Sequence, residues 1–264
     1  MEKFEKFIWH NFYRPRIFEK VASGCFDTWA EISTPGSPRR KIVTKIYKST
    51  YFLFRNQTLA TFSKFCANKT TYSQHYQDLF VLYFQSSGVF IEIGASDGLT
   101  DNNTYLLEKL GWNGICFEAN KSFWEELTKN RKCIIDSRAV YSESHRAVSF
   151  SIDHTATFSG IILPNQRTLR THKVEIVKTI SLNDIFELLN RTEVTYLSID
   201  VEGAELEILS KFDFSTYKIK MITVEHNGDL RRAVAIHKLL VKNGYKRIFK
   251  YISGPDFFYI SKKI

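Results

Sequence analysis

From Ser73 onward the apolar positions fall into two alternating rhythms. Short continuous runs read as buried parallel strands, and runs with three- and four-residue spacing read as helices. "VFIEIG" (Val89 to Gly94) is the first such strand. "NNTYLLEKLG" follows, with Tyr105, Leu106 and Leu110 at helical spacing and Gly111 as its stop. "GICFEA" (Gly114 to Ala119) is the next strand and "KSFWEELTKN" the next helix. "KCIID" and "AVSFSID" read as strands. "SLNDIFELLN" opens on a capping Ser181 with Asp184 three positions on. "TYLSID" then "GAELEILSKF" gives strand and helix, and "KMITVEHN" another strand. "RRAVAIHKLLVKNGY" is an amphipathic helix ended by Gly244, and "YKRIFKYIS" with "DFFYISKK" closes the chain as a hairpin. Strand–helix alternation with a terminal antiparallel pair predicts an α/β sheet with helices on both faces.

Two stretches keep neither rhythm. "HTATFSGIILPNQRTLRTH" (His154 to His172) reads as a long loop, and with Arg167 and Arg170 it is the natural acceptor-binding lid. Residues 1–72 read as a mainly helical extension, divided by the loop "STPGSPRRK", ahead of a body spanning 73–264. The extension holds 13 Lys+Arg against 5 Asp+Glu, so +8 of the chain's net +9 lies there. Such a patch suits an anionic partner or surface, such as lipid headgroups, RNA or an anionic glycan.

Composition narrows the class. With 264 residues and 44% hydrophobic content the chain can bury a full core as one domain plus an extension. Cys25, Cys66, Cys116 and Cys133 show no metal-ligand spacing and read as free thiols in a reducing compartment. No run of about 18 apolar residues predicts a transmembrane segment, and "MEKFEKFIWH" lacks the apolar centre of an export signal. A cytoplasmic protein, at most peripheral to a membrane, is expected.

In open α/β sheets ligands sit at the carboxyl ends of the strands, where connections reverse. Here those ends carry acids: Glu92 to Gly98, Glu118 to Asn120, Asp136 to Arg138, Asp200 to Glu202, and Glu225 to Asn227. A phosphate site would offer Lys, Arg and a three-glycine or GK[ST] pattern. Gly94 and Gly98 are instead spaced GxxxG. Acids suit a ligand with hydroxyls, an ammonium and a positive centre, and S-adenosylmethionine is such a ligand. Gly94 lets the turn after the first strand approach it. Glu92 or Asp97 faces its amino group, and Glu118 accepts its ribose hydroxyls. Asp136 and Ser137 meet its adenine edge.

Five motifs, "SQHYQD", "FIEIGASDG", "NNTYLLEKLGWNGICFEAN", "SIDVEGAELEIL" and "ITVEHN", occur in one order from about Tyr72 to the C-terminus. Together they resemble the FkbM family of S-adenosylmethionine-dependent methyltransferases. The resemblance implies a seven-stranded class I methyltransferase fold, Rossmann-like, and transfer to oxygen, commonly a sugar or polyketide-like hydroxyl. It adds Ala95, Gly98, Asn103, Ala119 and Asn120 to the cofactor residues. It also places Gln74, Gln77 and Asp78 near the methionine end. Asn102 stands where relatives usually carry serine.

A sugar hydroxyl is a poor nucleophile and needs a base or a metal ion. Asp200, Glu225 and Asn227 offer oxygen ligands for Mg²⁺ or Mn²⁺. His226 is the alternative base. Glu202 binds or orients, and Glu205 reads as a helix-face residue. Two other classes stay open. One is a non-catalytic interaction module of the same fold. The other is a methyltransferase acting on RNA or a lipid-linked acceptor, although Asp200 is followed by Val201–Glu202–Gly203 and not by the proline–aromatic run of base-methylating enzymes.

Overall fold

A computed structural model describes residues 57–67, 69–153, 158–163, 172–249 and 255–263. By contact the chain divides into two units, Met1–Ala67 and Asn68–Ile264. The described part of the first is one helix, α1 (Gln57–Cys66). The aromatic segments and "STPGSPRRK" loop expected before it lie outside the described residues, as do Arg167 and Arg170. Thr71 and Ser73 belong to the second unit, where their hydroxyls donate to Asp78 at 2.6 and 2.8 Å.

The second unit opens on α2 (Gln77–Phe84), which leads into β1 (Val89–Ile93). The β1 side chains from Phe90 to Ile93 are all buried, which explains a strand written as a continuous apolar run. Next come α3 (Tyr105–Lys109), β2 (Asn113–Phe117), α4 (Trp124–Asn130) and β3 (Ile134–Asp136). Four strands follow, β4 (Ala139–Tyr141), β5 (Ala147–Ile152), β6 (Gly160–Ile161) and β7 (Lys173–Ser181). The chain continues through α5 (Leu182–Leu188), β8 (Glu193–Ile199), α6 (Glu205–Ser210) and β9 (Lys218–Glu225). It closes with α7 (Leu230–Lys242), β10 (Tyr245–Ile248) and β11 (Asp256–Ser261).

The large sheet has seven strands in the order β10-β11-β9-β8-β1-β2-β3. β3, β2, β1, β8 and β9 run parallel, and β11 is antiparallel to β9 and to β10. This is the seven-stranded strand order that the resemblance implies. The chain leaves β1 for β2 on one side and returns as β8 on the other, so the connections reverse at β1.

Local chemistry accounts for the helix limits. Ser181 accepts from the Asp184 amide at 3.2 Å, and Asp229 caps α7 by accepting from the amides of Arg231 and Arg232. The helix expected from Lys121 begins as a 3-10 turn, Lys121–Phe123, capped by Asn120.

A second sheet departs from the expected single one. It is ordered β4-β7-β5-β6. "AVSFSID" therefore pairs with β7, Val148 opposite Val177, and takes no place in the large sheet. The expected loop from His154 contains β6, where Ile161 lies opposite Phe150. Ile93, Phe117, Ile199 and Val224 of the large sheet and Phe150, Ile161 and Val177 of the small one share one apolar core with Phe186 and Leu209. Each such buried side chain stabilises the fold by about 1.5–3 kcal/mol.

Candidate active site

A cavity of about 400 Å³ opens at the carboxyl ends of β1, β2, β8 and β9, and Val140, Phe150, Phe158 and Ile161 add an apolar part to its lining. That volume is on the scale of small-molecule sites. Its floor is drawn together by backbone. The amides of Gly94 and Ala95 donate to the Phe117 carbonyl at 2.9 and 3.1 Å, and the Asp200 amide donates to the Ile93 carbonyl at 3.0 Å. Gly94 has φ +87°, and a Cβ there would lie 1.8 Å from the Asp200 carbonyl oxygen. No other residue fits.

Glu118 follows directly on β2 and faces the loop after β1. Its Oε2 accepts from the Ser96 amide at 2.8 Å and its Oε1 from the Asn120 amide at 2.7 Å. Burial, with repulsion from Asp200 and Glu92 added, raises its pKa to about 7 despite those two bonds. Each carboxylate oxygen retains capacity for a further donor.

Glu92, beneath the cavity, is fully engaged. It accepts from the Asn103 amide (3.1 Å), Thr104 Oγ1 (2.7 Å) and Arg131 Nη1 (3.0 Å). Arg131 also donates to Asn102 Oδ1 (2.9 Å), Thr104 Oγ1 (2.7 Å) and, through Nε, Glu108 (2.7 Å). One buried guanidinium thus fixes the Asn102–Thr104 segment beside the cavity, of which Asn102 and Asn103 line it. Asn103 Nδ2 donates to Ser198 Oγ at 2.9 Å, whereas its buried Oδ1 has no hydrogen-bond partner among the described residues. Asp97 closes its own turn, accepting from the amides of Leu99 (2.9 Å) and Thr100 (2.7 Å) and from the Thr100 hydroxyl.

Across the cavity, Asp200, Glu202 and Glu225 bring one carboxylate oxygen each within 4.8 Å of the others. Asp200 and Glu225 act on each other side chain to side chain, and crowding of the two carboxylates favours a proton on Glu225. Burial, then repulsion from Asp200, pushes Glu225 well above the carboxylate range and Glu202 to about 8, while burial and the Glu92 charge raise Asp200. Asp256 lies directly across from Glu225 in the β9–β11 ladder, and burial raises it too. Glu205, expected on a helix face, is instead buried and accepts from the Gly203 amide at 2.9 Å, shaping the turn between Asp200 and α6.

A family model described as the methyltransferase FkbM domain matches residues 92–247, from β1 to β10. The chain belongs to the FkbM methyltransferase family. It is therefore a methyltransferase. Among solved structures, the precorrin-6y C5,15-methyltransferase from Geobacter metallireducens GS-15 is similar at 14% identity and a TM-score of 0.36, over 73% of this chain and 89% of that one. No protein of curated function matches the sequence.

The methyltransferase gathers most, not all, of the residues singled out in sequence. Gln74, Glu92, Gly94, Ala95, Asp97, Asn103, Glu118, Ala119, Asp200 and Glu225 line the cavity. The others are placed elsewhere among the described residues. Gly98 packs against Arg131 and Leu127. Asp78 is buried, accepting from Thr71, Ser73 and the Tyr72 amide at the start of α2. Gln77 donates to Asp256 at 2.9 Å. Asn120 caps the following turn, accepting from the Ser122 amide at 3.1 Å. Asp136 is held by the Arg138 guanidinium at 2.6 Å, and Arg138 lines the cavity where Asp136 and Ser137 do not.

His226 and Asn227 also fall outside the lining. The His226 ring packs on Phe257 at 4.4 Å, and its Nδ1 accepts from the Gly228 amide at 3.2 Å. Burial, then the Arg247 charge, lowers its pKa to about 4. Asn227 is hydrogen-bonded to Glu202, so Glu202 takes the third place in the acid cluster. Arg131 carried no periodic or motif signal, and Arg138 and Phe158 lay within the expected strand end and loop without being singled out for the cofactor or catalysis.

Proposed function

We propose that this methyltransferase uses S-adenosylmethionine to methylate a hydroxyl oxygen of a sugar, glycan or glycoconjugate. The observation that carries this reading is Glu118, a buried carboxylate at the carboxyl end of β2, held by two amides and opening on the cavity. That placement suits a ribose diol. The unpartnered Asn103 Oδ1 supports it, because an ammonium group of the methionine moiety would supply the missing donor.

When bound, S-adenosylmethionine supplies an electrophilic methyl carbon. The chain then has to orient the acceptor hydroxyl and take its proton. Asp200 is placed to accept that proton, because it borders the cavity and burial has already raised its proton affinity towards that of a useful base. Glu225 beside it favours the protonated form and so limits the negative charge gathered there. His226, neutral and turned to Phe257, is poorly placed to compete.

The acid cluster also fits a hard divalent ion. Three oxygens within 4.8 Å, crowded enough to retain protons, are the donor set that Mg²⁺ or Mn²⁺ prefers. Asp200, Glu202 and Glu225 would hold it, and it would lower the pKa of a bound hydroxyl. The basic residues 1–72 suit an anionic partner or membrane surface, with the protein cytoplasmic and peripheral; no described helix is long and apolar enough to cross a membrane.

The test is an acceptor screen with methyl-labelled S-adenosylmethionine against glycans, lipid-linked glycans and RNA, with Mg²⁺, with Mn²⁺ and with chelator. Alkali-stable label in a glycan fraction, abolished by Asp200→Ala, is expected. Label confined to RNA, or retained by Asp200→Ala, contradicts the reading. Full turnover of a metal-free preparation in chelator removes the ion and leaves Asp200 as the base.

A further inference from the structure

Behind the cavity floor two thiols face each other. Cys116 on β2 is fully buried, and Cys133, just ahead of β3, is partly exposed. Their sulfurs are 3.5 Å apart. Cys116 also donates to Glu92 Oε2 at 3.4 Å, the carboxylate that Arg131 and the Asn103 amide hold from other sides. The pair is therefore joined to the network that fixes the segment Asn102–Thr104.

We propose that Cys133 and Cys116 form an oxidative modification site, closed to a disulfide by hydrogen peroxide, that loosens this segment of the cavity. Cys133 is the accessible thiol, with the Arg131 guanidinium and Glu108 as close neighbours. Its sulfur attacks the peroxide, the O–O bond breaks, and Cys133 becomes a sulfenic acid while one oxygen leaves as water. The Cys116 sulfur then attacks Cys133 Sγ and expels the hydroxyl, which takes up the Cys116 thiol proton and leaves as a second water. Two thiols are oxidised and one peroxide is reduced, so no further reagent is required. A resolving thiol beside an accessible one is the arrangement of redox-sensing pairs.

Closure draws the sulfurs from 3.5 Å to a bonding distance of about 2.05 Å. It removes the Cys116 hydrogen that Glu92 accepts and links β2, two residues before Glu118, to the Arg131 end of α4. Glu92 then has one donor fewer, and the movement of Cys133 pulls on Arg131, two residues before it, which holds Asn102 and Thr104.

The experiment treats the reduced full-length protein with hydrogen peroxide. Peptide mapping reads the linkage, and hydrogen–deuterium exchange reads residues 100–106. The expected result is a Cys116–Cys133 disulfide, faster exchange over that segment, and recovery of both on adding dithiothreitol. Cys133→Ser should show neither change, and Cys25→Ser/Cys66→Ser should show both. S-adenosylmethionine affinity, which alone rests on the proposed function, should fall about tenfold on oxidation, or about 1.4 kcal/mol. Absence of the linkage at a peroxide dose that oxidises Cys66 overturns the proposal. A linkage with unchanged exchange overturns the effect on the cavity. Loosened exchange in a protein that never binds the cofactor sustains the modification site and contradicts the cofactor reading instead.

Discussion

The Asp200 carbonyl occupies the space that a side chain on Gly94 would need, 1.8 Å from the position of its Cβ. The ends of β1 and β8 therefore meet backbone to backbone at the cavity floor. Gly94→Ala combines that collision with a left-handed φ of +87°, which alone costs about 1–2 kcal/mol. Gly111→Ala is the control, since its φ is +89° and nothing lies within 4 Å of its Cβ position. Urea unfolding should show Gly94→Ala destabilised by clearly more than about 2 kcal/mol and Gly111→Ala by about 1–2 kcal/mol. Equal losses would mean that the close approach contributes nothing.

Arg131 is buried and bonded to Glu92, Glu108, Asn102 and Thr104. Arg131→Met leaves Glu92 buried without its counter-charge, which typically costs about 3–5 kcal/mol. Adding Glu92→Gln removes the stranded charge and should restore part of the loss. Chemical denaturation of the two variants checks this; a double variant no more stable than Arg131→Met would show that the ion pair is not the source.

The acid-rich site also sets a pH dependence. Glu118 and Glu205 at about 7 and Glu202 at about 8 keep protons in the folded chain that the unfolded chain has already lost. Their contribution to stability is fully present below the ordinary carboxylate pKa and is lost as pH rises through the folded values. His75 and His226, lowered to about 4, act oppositely, but only below their ordinary 6.5. From pH 6.5 to about 8 the melting temperature should therefore fall. If the acid cluster holds a divalent ion, millimolar Mg²⁺ or Mn²⁺ should recover more of it at the upper end. A flat or rising profile over that window would contradict the raised carboxyls.

The large sheet was legible because its central strands are buried on both faces and so appear as unbroken apolar runs, as in "VFIEIG" and "TYLSID". Glu118 could be found for the same reason: it is the first charge after such a run. The small sheet was not, because β7 exposes Val174 and Ile176 and gains its partner, β5, only through pairing that spans the interval from residue 147 to 178. Asp136 was singled out as a strand-end acid, yet Arg138 two residues on captures it, and strand position alone cannot reveal that competition. For His226 the deciding detail is the turn at Gly228, which claims one ring nitrogen. Arg131 left no local trace at all, since its partner Glu92 lies 39 residues away.

Glu118 and a bound ribose are the centre of the cofactor reading, and calorimetry tests them directly. S-adenosylmethionine titrated into the folded full-length protein and into Glu118→Ala, with circular dichroism confirming that both are folded, should show binding by the first. Binding to the variant should be weaker by roughly 1.5–3 kcal/mol, the cost of losing hydrogen bonds to a charged group. Equal affinity in the two proteins would remove Glu118 from the site, and no binding to the unaltered protein would contradict the cofactor itself.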